Sequence, residues 1–243
     1  MRSNLIYDLP TRLFHWLFSG LFLLSFVIAK TVDDESSAFS YHMLSGLLLG
    51  GLVIWRIVWG FIGSKHARFS GFSLNPLDLK DYLMGILTGS KKRWSGHNPA
   101  SSWAAMTMFA LALGLAGTGY LMTSGYKEAL EDVHEFMANA FVIVTVLHVA
   151  GVILHSIRHQ DAIALSMVDG KKEASESVEA ISSSRPFAAI LLLALVVSSG
   201  LYLFKKFDSQ NRTLNLFGQT LQLGENESES SSQNHEDRDD DDD

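Results

Sequence analysis

The stretch HEFMANAFVIVTVLHVAGVILHSI, residues 134–157, decides the fold class of this sequence. It is apolar at most positions and exceeds the roughly 20 residues that a helix needs to cross a bilayer. It also contains His134, His148 and His155. Ionisable side chains are costly inside a membrane and are candidates for function there. The stretch therefore predicts a transmembrane helix that carries part of a functional site.

Four further apolar runs reach spanning length, at residues 13–29, 41–62, 103–122 and 187–204. They exclude a soluble globular protein and predict an all-α integral membrane protein. The run 187–204 has no ionisable residue, so we expect an appended fifth transmembrane helix beside a four-helix transmembrane bundle. The expected divisions are a four-helix unit over 1–165, a cytoplasmic linker over 166–185, the fifth transmembrane helix over 186–206 and a polar acidic tail over 207–243.

The net charge of −7 reflects the carboxyl-terminal tail more than the rest of the chain. The last twenty residues hold ten of the 26 acidic residues and one basic residue, Arg238, so the chain without them carries a charge of +2. From Gly224 onward the Glu, Ser and Asp composition predicts disorder. Residues 213–223 alternate weakly and suggest a short strand. The chain has no cysteine, which excludes disulfides, thiolate metal sites, iron–sulfur clusters and covalent haem attachment.

The distribution of basic residues predicts the orientation in the membrane. Twelve basic residues lie in the amino-terminal segment, in the loop between the second and third runs and in the segment after the fourth run. They are Arg2, Arg12, Lys65, Arg68, Lys80, Lys91, Lys92, Arg93, Arg158, Lys171, Lys172 and Arg185. The opposite loops contain only Lys30 and Lys127 among several acidic residues. The positive-inside rule then places the amino terminus in the cytoplasm, and five spans leave the carboxyl terminus outside.

The histidines in the apolar runs predict two pairs at different membrane depths. His134 and His148 lie fourteen residues apart, nearly four helical turns, and so share one face about 21 Å apart. The up-down helix order pairs His42 with His134 near the outer surface. His15, at the cytoplasmic end, pairs with a histidine lower on the fourth run. His148 is preferred there, and His155, about 31 Å from His134 and hence interfacial, is the competing candidate.

Four imidazoles facing a bundle interior suit two b-type haems, because neutral imidazole is a common axial ligand and bundles hold cofactors between facing helices. Filling both axial positions favours electron transfer over oxygen chemistry. Arg12 and Arg56 are candidates to pair with haem propionates, the alternative being snorkelling to lipid headgroups. Gly46, Gly50 and Gly151 lie near the histidines and either clear space for a macrocycle or allow close helix packing.

Several motifs in residues 1 to about 170 together resemble the bacterial cytochrome b561 family. They are YDLPTRLFHW (7–16), WRIVWGFIG (55–63), Ala67-Arg68-Phe69, Gly96-His97-Asn98-Pro99, and His134-Glu135 with His148. This family is similar to the cytochrome b subunits of nickel–iron hydrogenases. The resemblance implies a bacterial inner-membrane unit with two non-covalent haem b groups, which passes electrons between the quinone pool and a partner redox protein in a respiratory chain. It also implies that His15 and His148 bind the inner haem iron and that His42 and His134 bind the outer one.

The expected partners are the lipid bilayer, quinone, and a c-type cytochrome or hydrogenase-like redox protein. We expect no nucleic acid, and a homodimer is compatible with the sequence. His97 is a candidate for a quinone or partner site on the cytoplasmic face, or an ordinary turn histidine. One alternative function is a self-sufficient membrane oxidoreductase that oxidises superoxide or quinol at a surface haem. Another is a haem-free helical scaffold or metal transporter.

Overall fold

The computed structural model describes residues 3–89, 98–160, 163–173 and 179–224, and the protein is mostly helical. The helices are α1 (Leu9–Thr31), α2 (Ser40–Ile62), α3 (Pro76–Leu87), α4 (Pro99–Leu121), α5 (Lys127–His159), α6 (Ser166–Asp169) and α7 (Pro186–Lys206). The strands are β1 (Ser3–Leu5), β2 (Lys171–Glu173), β3 (Phe207–Asp208), β4 (Thr213–Leu216) and β5 (Gln219–Gln222). Each of the five predicted apolar runs lies in one of the long helices.

Four helical stretches are long and apolar enough to cross a membrane, namely Leu9–Thr31, Ser37–Ile62, Pro99–His159 and Pro186–Lys206. The third, of 61 residues, contains both α4 and α5. The chain reverses within a π-helical turn over Met122–Tyr126, where Gly125 has a φ of 100° that a side chain would disfavour. The prediction of a mostly helical protein with long apolar helices is therefore confirmed.

Three helices begin at the same end of the bundle with the same capping arrangement. Asp8 caps α1 by accepting from the Thr11 amide, and Asn98 caps α4 by accepting from the Ser101 amide. Asn75 caps α3, and each of these helices has a proline in its first turn. We call this end, which also holds the end of α2, the proximal end. The distal end holds the end of α1, the start of α2 and the turn between α4 and α5.

The core of the bundle lies where α1, α2, α4 and α5 meet. Phe141 of α5 is buried against Val53 of α2 and Ala112 of α4, and its ring lies 4.4 Å from that of Phe22 of α1. Many other apolar side chains of these helices face outward, among them Ile143, Val146 and Leu147 of α5. Such a broad exposed apolar surface is unusual for a soluble monomer.

Helix α7 packs against the outside of this four-helix core. Leu192 of α7 is fully buried between Phe14 of α1 and Leu52 of α2. This contact gives α7 a fixed packing face although its sequence is apolar all round.

The segment expected as a linker before α7 lies across the proximal end. We call its described residues, 166–173 and 179–184, the proximal strap. Its strand β2 pairs antiparallel with β1. The Ile181 amide donates to the Leu5 carbonyl, and the Leu9 amide donates to the Ser184 carbonyl, both at 2.9 Å. Burial raises the pKa of Tyr7, which lies between β1 and α1, to about 12.

Strands β3, β4 and β5 form an antiparallel sheet at the distal end, which we call the distal sheet. Its Leu214, Leu221 and Leu223 are buried against Leu44 of α2 and Leu203 of α7. The weak alternation in this segment thus places leucines on one face, where an apolar helix surface covers them. The polar tail expected over 207–243 therefore begins with a folded sheet, and its acidic part from residue 225 lies outside the described residues.

Candidate functional site

Two histidines from different helices face each other at the distal end. His42 of α2 and His134 of α5 have ring centroids 6.2 Å apart, and the ring planes are inclined by 77°. These are the residues that the helix order paired at the outer surface. We call them the distal pair.

The tautomer of His42 is set by helix α1. Its Nδ1 lies 2.9 Å from the carbonyl oxygen of Ser25 and 3.0 Å from the Ser25 hydroxyl. A carbonyl oxygen can only accept a hydrogen bond, so Nδ1 carries the proton. Nε2 of His42 then keeps a lone pair that can bind a metal.

The tautomer of His134 is set by helix α4. Its Nδ1 lies 2.8 Å from the hydroxyl of Thr118. That hydroxyl donates its one proton to the Gly114 carbonyl at 2.8 Å, so it accepts from Nδ1 of His134. The lone pair of His134 is therefore also on Nε2.

The distal pair has the side-chain chemistry that would hold one metal ion between two imidazoles. Histidines that bind metals usually donate their second ring N–H to a carbonyl or another acceptor, as both rings do here. Imidazole nitrogens bind transition metals at about 2.0–2.1 Å. Two imidazoles whose ring centroids are 6.2 Å apart are therefore close enough to hold one metal ion between them.

A second pair of histidines lies nearer the proximal end. His15 lies in the proximal half of α1, and His148 lies fourteen residues beyond His134 toward the proximal end of α5. Nδ1 of His15 is buried and has no hydrogen-bond partner among the described residues. We call these two residues the proximal pair.

His155, the competing candidate, stacks on a neighbouring histidine at the end of α5. Its ring centroid lies 4.4 Å from that of His159. Between them, Arg158 donates to the carbonyls of Gly85 and Ile86 at the end of α3, at 2.7 and 3.1 Å. These bonds place the last turn of α5 at the proximal surface.

The remaining histidines lie elsewhere. Nε2 of His66 lies 2.9 Å from the carbonyl oxygen of Glu179 in the proximal strap, so this histidine joins a loop to the strap. His97, the candidate for a quinone site, lies outside the described residues, as does His235.

Arg56 is buried in the proximal half of the bundle, with 4% of its surface exposed. Its Nη2 donates to the Ala67 carbonyl at 3.0 Å, and its guanidinium carbon lies 5.3 and 5.5 Å from the ring centroids of Phe69 and Phe109. Nη1 is buried and has no hydrogen-bond partner in the described part of the chain. The side chain therefore does not extend to the surface as a snorkelling arginine would.

Arg12 is held by the proximal strap. Its Nη1 donates to the carbonyl of Val168, and the indole of the nearby Trp16 donates to the Met167 carbonyl at 2.8 Å. The Nε of Arg12 is buried without a hydrogen-bond partner among the described residues. Both arginines thus retain one buried donor that could serve an anionic group.

The glycines near the histidines divide into two kinds. A Cβ added at Gly46 or Gly151 would meet no atom within 4 Å, so there is clearance at these positions. A Cβ at Gly50 would lie 3.0 Å from the Cβ of Ala116, so Gly50 instead lets α2 approach α4. Close helix packing therefore applies to Gly50, and the clearing of space for a macrocycle at Gly46 and Gly151 stays a prediction.

Sequence reasoning missed Ser25 and Thr118, the residues that orient the distal pair. Each is a hydroxyl residue within an apolar run, one on α1 and one on α4. Hydroxyls in apolar helices commonly bond to a neighbouring helix, which is the one signal that the sequence offered.

These features define a class of protein: a mostly helical bundle whose helices are long enough to cross a membrane and which brings two histidines of different helices face to face. Residues 6–170 match the sequence profile of the family described as prokaryotic cytochrome b561. The chain belongs to this family, which confirms the resemblance. Helix α7 and the distal sheet lie beyond the matched residues.

Three relatives described as probable Ni/Fe-hydrogenase B-type cytochrome subunits are similar to this chain. The protein from Rhodobacter capsulatus is 21% identical over 213 residues, covering 70% of this chain and 81% of the relative. The one from Rhizobium leguminosarum bv. viciae is 26% identical over 213 residues, covering 70% and 89%. The one from Bradyrhizobium diazoefficiens is 24% identical over 212 residues, covering 69% and 85%. No solved structure matches the chain.

Proposed function

We propose that this protein is a diheme b-type cytochrome of a bacterial inner membrane, which passes electrons between the quinone pool and a partner redox protein. The observation that carries the proposal is the distal pair, in which two imidazoles from different helices face each other with both Nδ1 protons engaged. Membership in the cytochrome b561 family supports haem b as the cofactor.

In this proposal each histidine pair holds one haem without a covalent bond. His42 and His134 bind the distal haem, and His15 and His148 bind the proximal haem. When bound, haem would supply one-electron redox chemistry, and the two histidines of each pair would be its protein ligands. The protein orients the ligands, and for the distal pair this is the role of the Ser25 carbonyl and the Thr118 hydroxyl.

The buried arginine donors have a role in the same proposal. Nη1 of Arg56 and Nε of Arg12 are each buried without a partner in the described chain. A carboxylate such as a haem propionate would satisfy these donors by charge-assisted hydrogen bonds. We therefore assign both arginines to propionate binding at the proximal site.

The proposed topology has five transmembrane helices, α1, α2, α4, α5 and α7. The concentration of basic residues in the proximal loops supports a cytoplasmic proximal end. In this arrangement residues 1–165 form the haem-binding unit, 166–185 connect it to α7 on the cytoplasmic side, and 186–206 form the fifth span. The distal sheet and the acidic tail then lie on the periplasmic side.

The proposed partner is a periplasmic redox protein, either hydrogenase-like or a c-type cytochrome. The names of the three relatives, which refer to a nickel–iron hydrogenase, support the first. The acidic composition of residues 225–243 suits attraction of a basic protein such as a c-type cytochrome.

A haem count tests the proposal. The purified protein should show a b-type α-band in reduced-minus-oxidised spectra and about two haems per chain by pyridine hemochrome. The variants His42→Leu and His134→Leu should each lose one haem, and they should lose the same one. A haem-free protein would contradict the proposal, and rapid turnover with quinol or superoxide in the absence of a partner protein would favour the self-sufficient oxidoreductase.

A further inference from the structure

Strand β5 of the distal sheet connects α2 to α4. At one end, the hydroxyl of the fully buried Ser40, the first residue of α2, donates to the Leu223 carbonyl at 2.7 Å. At the other end, the phenol of Tyr120 in the last turn of α4 donates to Oε1 of Gln219 at 2.9 Å. The strand therefore lies across the gap between the distal ends of these two helices.

Both attachments are next to residues of the distal pair. Ser40 lies two residues before His42 on α2, and Tyr120 lies two residues after Thr118, whose hydroxyl accepts from His134. Leu44, two residues beyond His42, is buried beneath Leu214 and other leucines of the sheet. The sheet thus fixes the helix ends that carry the distal site.

We propose that the distal sheet is a cap on the distal haem site, which closes its α2–α4 side to water and holds the start of the helix that carries His42. This inference rests on the proposed function. The opposite side of the distal end carries the exposed ion pair Lys30–Glu135, which joins α1 to α5, and in this proposal it is the side that a redox partner approaches. In this proposal a redox partner therefore approaches the distal haem from the α1–α5 side and not from the α2–α4 side.

The cap has a measurable electrostatic consequence. Excluding water disfavours the more highly charged oxidised state of a haem, so burial tends to raise its reduction potential. Removal of the sheet should lower the potential of the distal haem and leave that of the proximal haem unchanged, because the proximal pair lies toward the other end of the bundle.

The first experiment needs no haem and uses the absence of cysteine from this chain. A Ser40→Cys variant carries a single thiol beneath the sheet. It should react slowly with a water-soluble maleimide in the full chain and in a chain stopped after Gly224, and faster in a chain stopped after Lys206. Glu35→Cys, on the exposed distal loop, should react quickly in all three chains. Rapid labelling of Ser40→Cys in the full chain would overturn the cap.

The second experiment is a redox titration of the haem-loaded protein. Stopping the chain after Lys206 should lower the potential of one haem, the one that is lost in His42→Leu. Leu221→Asp, which places a charge in the buried face of the sheet, should do the same, whereas Thr220→Asp on its exposed face should not. Two bound haems with unchanged potentials after removal of the sheet would overturn the cap and leave the proposed function intact. Absence of any b-type spectrum from the full chain would overturn both.

Discussion

The imidazoles of His42 and His134 face each other at 6.2 Å, and each is held by a helix other than its own. Helix α1 holds the ring of His42 through Ser25, and α4 holds the ring of His134 through Thr118. All four helices of the core therefore contribute to one site. A change in the packing of α1 or α4 should therefore alter the orientation of the imidazoles in the distal pair, although neither helix carries one of the two histidines.

Replacing Thr118 by valine should weaken haem binding at the distal site. The variant keeps the shape of the side chain but leaves Nδ1 of His134 without its acceptor, and loss of such a supporting bond typically costs 10–100-fold in metal affinity. Haem titration of the apoprotein should show one weakened site and one unchanged site. Thr145→Val, which removes a half-buried hydroxyl that donates to Sδ of Met108 at 3.9 Å, is the matched control and should retain both affinities. Equal affinities in Thr118→Val and the control would contradict the role assigned to this hydroxyl.

Replacing His148 by leucine should remove the same haem as replacing His15, because in the proposed function the two residues hold one haem. The double variant should lose no more haem than either single variant, since the two effects are not additive. His155→Leu should retain both haems. Haem content per chain and low-temperature α-band spectra measure these outcomes. Loss of one haem in His155→Leu, with both kept in His148→Leu, would move the proximal site about two helical turns toward the proximal surface.

Replacing Gly60 by alanine should destabilise the proximal half of the bundle. The added Cβ would lie 2.2 Å from the ring of Phe69, which covers the guanidinium of Arg56. Overpacking of this kind costs about 1–3 kcal/mol. Unfolding in detergent should show the loss, and Gly51→Ala on the same helix, whose Cβ would meet no atom within 4 Å, should show none. Equal stability of the two variants would mean that Phe69 moves away without cost.

Removing the acidic tail should slow electron exchange with a basic partner. Residues 225–243 carry ten acidic groups and one arginine, and long-range attraction raises association rates more than affinity. A chain stopped after Gly224 should exchange electrons with a c-type cytochrome more slowly than the full chain at low ionic strength and at a similar rate at high ionic strength. Stopped-flow absorbance measures both rates. Identical rates at low salt would leave the tail without a role in docking.

The positions of the long helices and the distal pair could be predicted from the sequence, because spanning length and an up-down order determine them. Ser25 and Thr118 could not be assigned to the site in this way. A hydroxyl within an apolar run belongs to no periodic pattern, and its partner depends on the rotation of each helix about its own axis. That rotation follows from contacts such as those of Phe141, which form only when four helices meet.

The distal sheet shows a different limit. Leu214, Leu221 and Leu223 alternate with polar residues over too short a segment to predict a sheet alone. Their buried face is completed by Leu44 and Leu203, which belong to two other elements. Helix α7 poses the same difficulty, since an all-round apolar sequence does not reveal which of its faces packs against α1 and α2.

The hydrogen bonds of the proximal strap have a consequence for the order in which the protein is assembled. The Leu5 carbonyl is bonded to the Ile181 amide, and the Leu9 amide to the Ser184 carbonyl. The hydrogen-bond partners for the start of α1 are therefore synthesised only after α5, the fourth helix of the core, is complete. During translation α1 must therefore insert while the Leu5 carbonyl and the Leu9 amide are still bonded to water. These two groups form their hydrogen bonds to the proximal strap only when α7 begins to leave the ribosome.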